Sequence, residues 1–132
     1  MREKTMVFED FAKKALKRIE EKKKFKTKLV RVKDLDLEIK LRGLTNQEII
    51  ECTEYSDEAL KNDYYTIYYA SETLQELAKY MVEKSMIKEH CMVCEMFRIV
   101  DRNKLVNIIM ELSGAIGATS IEEVNEIEEI KN

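Results

Sequence analysis

The sequence predicts an α+β fold, a single mostly helical domain carrying one β-hairpin near residues 28–42. Three observations predict it. Long stretches repeat their apolar residues every three or four positions, one short stretch alternates them every second position, and the chain of 132 residues has no Pro and only three Gly to interrupt either pattern. A chain of this length forms one domain by default and can bury roughly two thirds of the surface its unfolded form exposes. The organisation read from it is a basic N-terminal helix at 5–24, the hairpin at 28–42 and a helical part at 45–132.

The first helix is predicted from Phe8, Phe11, Ala12, Ala15, Leu16 and Ile19, which form one apolar stripe. Lys13, Lys14, Lys17 and Arg18 fill the opposite face. Lys22, Lys23 and Lys24 sit in the last turn, where they complement the helix dipole. Phe8 and Phe11 read as core. The period then switches to two. Val30 and Val32 alternate with Arg31 and Lys33, and after a turn near 33–36, Leu35, Leu37, Ile39 and Leu41 alternate with charged residues. That is a hairpin with one apolar face, which must pack on something because an isolated hairpin is marginal in water.

Gly43 ends the second strand. Thr45–Asn46–Gln47–Glu48 matches a capping box, flanked by Leu44 and Ile49 as a hydrophobic staple, and predicts a helix to about Ser56 with Ile49, Ile50, Cys52 and Thr53 inward. Asn62 or Asp63 is expected to cap a long helix over about 64–86, with Ile67, Ala70, Leu74, Leu77, Ala78 and Met81 on its inner side. Residues 87–99 read as a further apolar helical segment, irregular near 88–90. Asp101 is the expected cap of a helix over 102–112, with Leu105, Val106, Ile109 and Leu112 inward and Ser113–Gly114 as its stop. Thr119 or Ser120 is expected to cap a last helix, in which Ile121, Val124, Ile127 and Ile130 recur every third residue.

Net charge is −3, which gives the whole molecule no strong pull toward nucleic acid or anionic lipid. The distribution is uneven, however. Residues 1–33 carry thirteen Lys/Arg against five Asp/Glu, a net of +8, and residues 119–132 carry five Glu against one Lys, a net of −4. Ends of opposite sign suit charge-guided association with a partner or head to tail with another copy, so a homo-oligomer is compatible with the sequence.

Chemistry has little to work with. His90, Cys91 and Cys94 lie within five residues and could, with Cys52, supply four zinc ligands. A single CxxC without a second pair reads instead as buried small hydrophobes, and no metal or other cofactor is expected. One His leaves one neutral-pH base, and no nucleophile elbow, phosphate loop, HExxH or calcium loop is present. The sequence is read as that of a non-enzyme. An odd cysteine count, the lack of a signal-peptide core and the absence of any apolar run near the ~20 residues that span a bilayer lead to the expectation of a cytoplasmic protein with no membrane partner.

Two surfaces are candidates for partner binding. Tyr64, Tyr65, Tyr68 and Tyr69 cluster on two adjoining helix faces, and exposed Tyr is enriched at interfaces. The stripe of Ile121, Val124, Ile127 and Ile130 lies on a segment too short to be a stable helix alone, so it docks on its own domain or in a partner's groove. The alternative is a small nucleic-acid-binding regulator. Lys22, Lys23, Lys24, Lys26, Lys28, Arg31 and Lys33 within twelve residues could neutralise several phosphates, although no reader module accompanies them.

The order of elements adds a resemblance. A hairpin reading LxLxIxL leads through RGLTNQE into a capped helix, and several helices later NKLVNIIMELSGAIG precedes an acidic stretch ending EEIKN. This resembles the XkdN-like tail assembly chaperones of long-tailed bacteriophages and phage-tail-like particles, whose patterns are a strand running into "LT..E" and an "I..LSG" motif followed by a Glu-rich end closing in "K N". The matching positions are Leu44, Thr45 and Glu48, then Ile108 or Ile109, Leu112, Ser113 and Gly114, then Glu128, Glu129, Lys131 and Asn132. The resemblance covers roughly residues 28–132. It implies a non-catalytic chaperone of the host bacterial cytoplasm, not expected in the mature particle, whose partners are the tape measure protein and the tail tube protein.

Overall fold

The computed structural model of the chain describes residues 2–22, 24 and 26–124, with side chains from residue 7 onward. Helix α1 spans Arg2–Lys22, and the antiparallel hairpin follows as β1, Thr27–Val32, and β2, Leu37–Arg42. Then come α2, Asn46–Thr53, α3, Ala59–Tyr69, α4, Glu72–Glu83, a 3-10 helix at His90–Met96, and α5, Ile99–Leu112. The α+β architecture expected from the sequence is the one observed, mostly helical with one two-stranded sheet. Among the described residues no helix is long and apolar enough to cross a membrane.

The hairpin register pairs Val32 with Leu37 and Thr27 with Arg42. The connection is a 3-10 turn, Lys33–Leu35, closed by Asp36 in the left-handed conformation at φ 47°. Asp is among the few residues that tolerate that region, and Arg31 holds its carboxylate by an ion pair across the turn. Leu35, expected in the apolar alternation, falls in this turn and is exposed. The remaining alternation holds. Val32, Ile39 and Leu41 are buried, and Val30 and Leu37 pack against the same core.

The core joins that sheet face to the helices through Cys52, Ile67, Ala70, Leu74, Ala78, Val93, Cys94, Phe97, Leu105, Ile108 and Ile109. The capping box at α2 forms as expected. Thr45 Oγ1 accepts from the Glu48 amide at 3.2 Å, and Glu48 Oε1 accepts from the Thr45 amide at 2.9 Å. The long helix expected over 64–86 is two helices. The chain breaks at Ala70–Ser71, and Ser71 caps α4 by accepting from the Leu74 amide. Ile67, Ala70, Leu74 and Ala78 still all face inward, because the break leaves the phase of the apolar stripe intact. Asn62 does not cap a helix. Its side chain instead accepts from the Ser56 amide at 2.8 Å and donates to the carbonyls of Thr53 and Ser56, pinning the loop between α2 and α3.

Two further expectations are corrected. The segment 87–99 is a 3-10 helix flanked by irregular chain, and helix α5 begins at Ile99, with Asp101 in its first turn and paired with Arg98 rather than capping it. Residues 118–124 form no regular secondary structure, and the rest of the expected last helix, from Asn125 onward, lies outside the described residues.

Candidate partner-binding surface

Helix α1 is amphipathic in sequence, yet its apolar stripe is uncovered. Every described side chain from Val7 to Lys22 is exposed, and Phe8, Phe11, Leu16 and Ile19 each keep more than half of their surface in solvent (70%, 58%, 58% and 55%). Phe8 and Phe11 therefore do not belong to the core, contrary to expectation. The 3.6-residue period shows that a helix has an apolar face but not that anything lies against it. A stripe of this size is more than the scattered apolar residues normal on a protein surface. The ammonium of Lys14 lies 5.6 Å from the centre of the Phe11 ring, so charge borders the stripe directly.

The lower end of α1 faces a cleft of about 530 Å³. Arg18, Glu21, Lys22, Lys24 and Lys26 line it together with Gly43, Thr45, Leu112 and Ser113. The floor is a close junction between two stretches distant in sequence. Ser113 Oγ accepts from the Leu44 amide at 2.8 Å and donates to the Ile109 carbonyl at 2.6 Å. A Cβ at Gly43 would stand 2.6 Å from the Leu112 carbonyl oxygen, so only glycine admits this approach. The RGLTNQE and ELSG stretches that carry the family resemblance thus meet in space.

Next to that junction, Arg42 forms a two-point ion pair with Glu48, at 3.0 and 2.8 Å, and lies over the Tyr69 ring at 5.4 Å. The Arg42 guanidinium, with help from the Thr45 amide, draws the Glu48 carboxyl down to about 2. Arg42 and Tyr69 are placed by β2 and α3, whose ends are tied by the Arg42 amide donating to the Ala70 carbonyl at 3.0 Å.

The four tyrosines do come together, but as packing. Tyr64, Tyr65, Tyr68 and Tyr69 are all half-buried against the core, and none is turned fully outward. Tyr65 stacks on Tyr55 with ring centres 4.0 Å apart and planes 8° from parallel, and Tyr68 tilts against His90 at 6.2 Å. Burial raises the phenol pKa values of Tyr65, Tyr68 and Tyr69. Tyr55 is the member of this group that the sequence pattern does not single out. Its hydroxyl donates to Glu89 at 3.0 Å, and Lys61 pairs with the same carboxylate at 2.8 Å, tying α2 and α3 to the 3-10 segment. A lone Tyr nine residues before the cluster carries no signal of its own.

Of the acidic stripe, Ile121 and Val124 are 82% and 83% exposed, and Ile127 and Ile130 lie outside the described residues. The thiols of Cys52, Cys91 and Cys94 are buried, and their surroundings suit packing. Cys94 donates to the Tyr64 carbonyl at 3.4 Å, and Cys91 reaches the Tyr55 hydroxyl at 3.8 Å. Burial pushes all three thiols up, Cys52 to about 11, which makes them weak nucleophiles. Among the described residues no group of three or more His, Cys, Asp or Glu side chains is arranged to hold a metal ion.

No protein-family model, curated protein or solved structure matches this chain.

Proposed function

We propose that this protein is a non-catalytic tail assembly chaperone, which binds unassembled tape measure and tail tube proteins during the building of a phage or phage-like tail. The observation that carries the reading is the uncovered apolar stripe of α1. A protein that works by lending apolar contact area needs such a face, and a long helical client such as a tape measure protein can lay its own stripe alongside it. The junction of Gly43, Leu44 and Ser113 lends support, because the family-like motifs then define one structural element.

Magnitudes suit a transient hold. Covering Phe8, Phe11, Leu16 and Ile19, each already partly shielded, recovers roughly 1 kcal/mol or more per side chain. After the cost of association, a gross gain of about 4–6 kcal/mol leaves weak, reversible binding, as a chaperone released when the tube closes requires. On this reading the protein acts in the host bacterial cytoplasm and is absent from the finished particle.

The test is co-expression with a tape measure protein. The wild-type chain is expected to raise tape measure solubility and to co-elute with it on gel filtration. The Phe8→Ser/Phe11→Ser/Ile19→Ser variant is expected to lose the complex while keeping its melting temperature. Unchanged tape measure solubility with no complex on the column would sink the reading.

The cations at the cleft favour a second reading, a small nucleic-acid-binding regulator. Arg18, Lys22, Lys24 and Lys26, with Glu21 among them, line one concave surface that could follow a phosphate backbone. A DNA mobility-shift titration at two salt concentrations separates the two readings, since phosphate binding weakens steeply with salt.

A further inference from the structure

The uncovered stripe on α1 has a candidate occupant within the same chain. We infer that the apolar face of α1 is the docking site for the chain's own acidic segment, residues 119–132, folded back in cis and antiparallel to α1.

Three observations carry this. The first is where the segment starts. Leu112, Ser113 and Gly114, at the end of α5, line the same cleft as Arg18, Glu21 and Lys22 of α1, so the chain leaves the folded body at the foot of that helix. It leaves through two turns that only glycine adopts readily, Gly114 at φ +73° and Gly117 at φ +122°, with open space around both. The Ala115 amide donates to the Met110 carbonyl at 2.9 Å, closing the helix end in the manner of a Schellman turn.

The second is reach. Residues 115–120 can span up to about 20 Å. Ile19 is adjacent to Arg18, which already lines the cleft, so the connection is more than long enough to bring Ile121 beside it.

The third is chemical complementarity. The segment alternates Ile121, Val124, Ile127 and Ile130 with Glu122, Glu123, Glu126, Glu128 and Glu129. On α1, Lys14 and Arg18 border the Phe11 side of the stripe, whereas Lys13 and Lys17 lie on the opposite face. Ile121 and Val124 are more than four-fifths exposed in the undocked arrangement, so both faces gain by meeting.

The docking needs no second protein, so it stands or falls independently of the tail-assembly role. The experiment is zero-length carbodiimide coupling of the isolated full-length chain, read by mass spectrometry, together with amide hydrogen exchange. Coupling is expected between Lys14 or Lys22 and Glu122, Glu123 or Glu126, within the monomer and unchanged on dilution. It is expected to fade at about 1 M salt, where the Debye length falls to about 3 Å. In the Val124→Lys/Ile127→Lys variant, α1 amides between residues 11 and 19 are expected to exchange at least about fivefold faster while the core is unaffected. Lys14→Glu/Lys22→Glu should have the same effect, and adding Glu122→Lys/Glu123→Lys/Glu126→Lys should restore coupling with the charges exchanged. Three results would overturn the inference. One is coupling confined to a dimer band, which assigns the face to a second copy. Another is α1 protection that appears only with anionic phosphatidylglycerol vesicles, which assigns it to a lipid surface. The last is an absence of these couplings with α1 exchange the same in all variants.

Discussion

Replacing Glu48 by Gln removes a charge that the fold uses twice, once as the N3 member of the capping box and once as the partner of Arg42. Gln keeps the box, since its carbonyl oxygen can still accept from the Thr45 amide, so the loss isolates the ion pair. The side chain of Glu48 is only 16% exposed and that of Arg42 26%, so the pair is shielded more than a surface salt bridge. Arg42 and the Thr45 amide lower the Glu48 pKa from 4.5 to about 2. A shift of that size is worth about 3 kcal/mol in full, and about 2 kcal/mol after allowance for solvent at the rim. The sign follows from the depressed folded-state value. The contribution is complete above pH 4.5 and is lost as pH falls from about 4.5 toward 2. Urea unfolding of the wild type at steps between pH 6 and pH 2.5 should therefore show a steep loss of stability in that window. Glu48→Gln should start about 2 kcal/mol lower at pH 6 and decline less steeply, so that the two curves converge near the acid end. Parallel curves across the window would refute the assignment of that stability to Glu48.

Three other outcomes are expected. Gly43→Ala places a methyl 2.6 Å from the Leu112 carbonyl oxygen and should cost about 1–3 kcal/mol in thermal or urea unfolding, because backbone rather than a flexible side chain must yield. Ser71→Ala removes the side-chain cap on the Leu74 amide and should cost about 1 kcal/mol, with faster exchange in the first turn of α4. The three thiols should resist a disulfide reagent in the native state at pH 8 and react in step with unfolding in urea, because all are buried with raised pKa values.

The elements that were legible in the sequence are those specified by neighbours. The hairpin follows from strict alternation at Leu37, Ile39 and Leu41, and the start of α2 from a box whose two partners are three residues apart. The break between α3 and α4 was hidden because Ile67, Ala70, Leu74 and Ala78 keep helical phase across it. Ser71 followed by Glu72 was the competing start signal, and it wins because its hydroxyl replaces a lost backbone bond. The Tyr64–Tyr69 cluster was visible, but how far it is buried depends on Tyr55 and His90 arriving from other elements. The exposure of α1 was not legible at all, since an amphipathic pattern is identical whether its apolar face is covered or open.

That open face constrains how α1 can work. An isolated helix of about 20 residues is marginal in water, and most helical stability in proteins comes from packing of the apolar face. Within the described residues, the side chains of α1 from Val7 to Lys22 have none of that support, whereas Arg42, Glu48, Tyr69 and Ser113 knit the rest of the chain together. The free energy of α1 is therefore set by whatever lies against its stripe, not by the core beside it. An occupant, whether the chain's own acidic segment or a client helix, contributes helix order as well as contact area, and part of its binding energy is spent on that order. This lowers affinity without narrowing specificity to one shape. A helix whose order depends on its occupant can adapt to successive clients, and one occupant must leave before the next can bind. On the proposed reading, competition for this one stripe is the means by which the protein takes up a client and releases it.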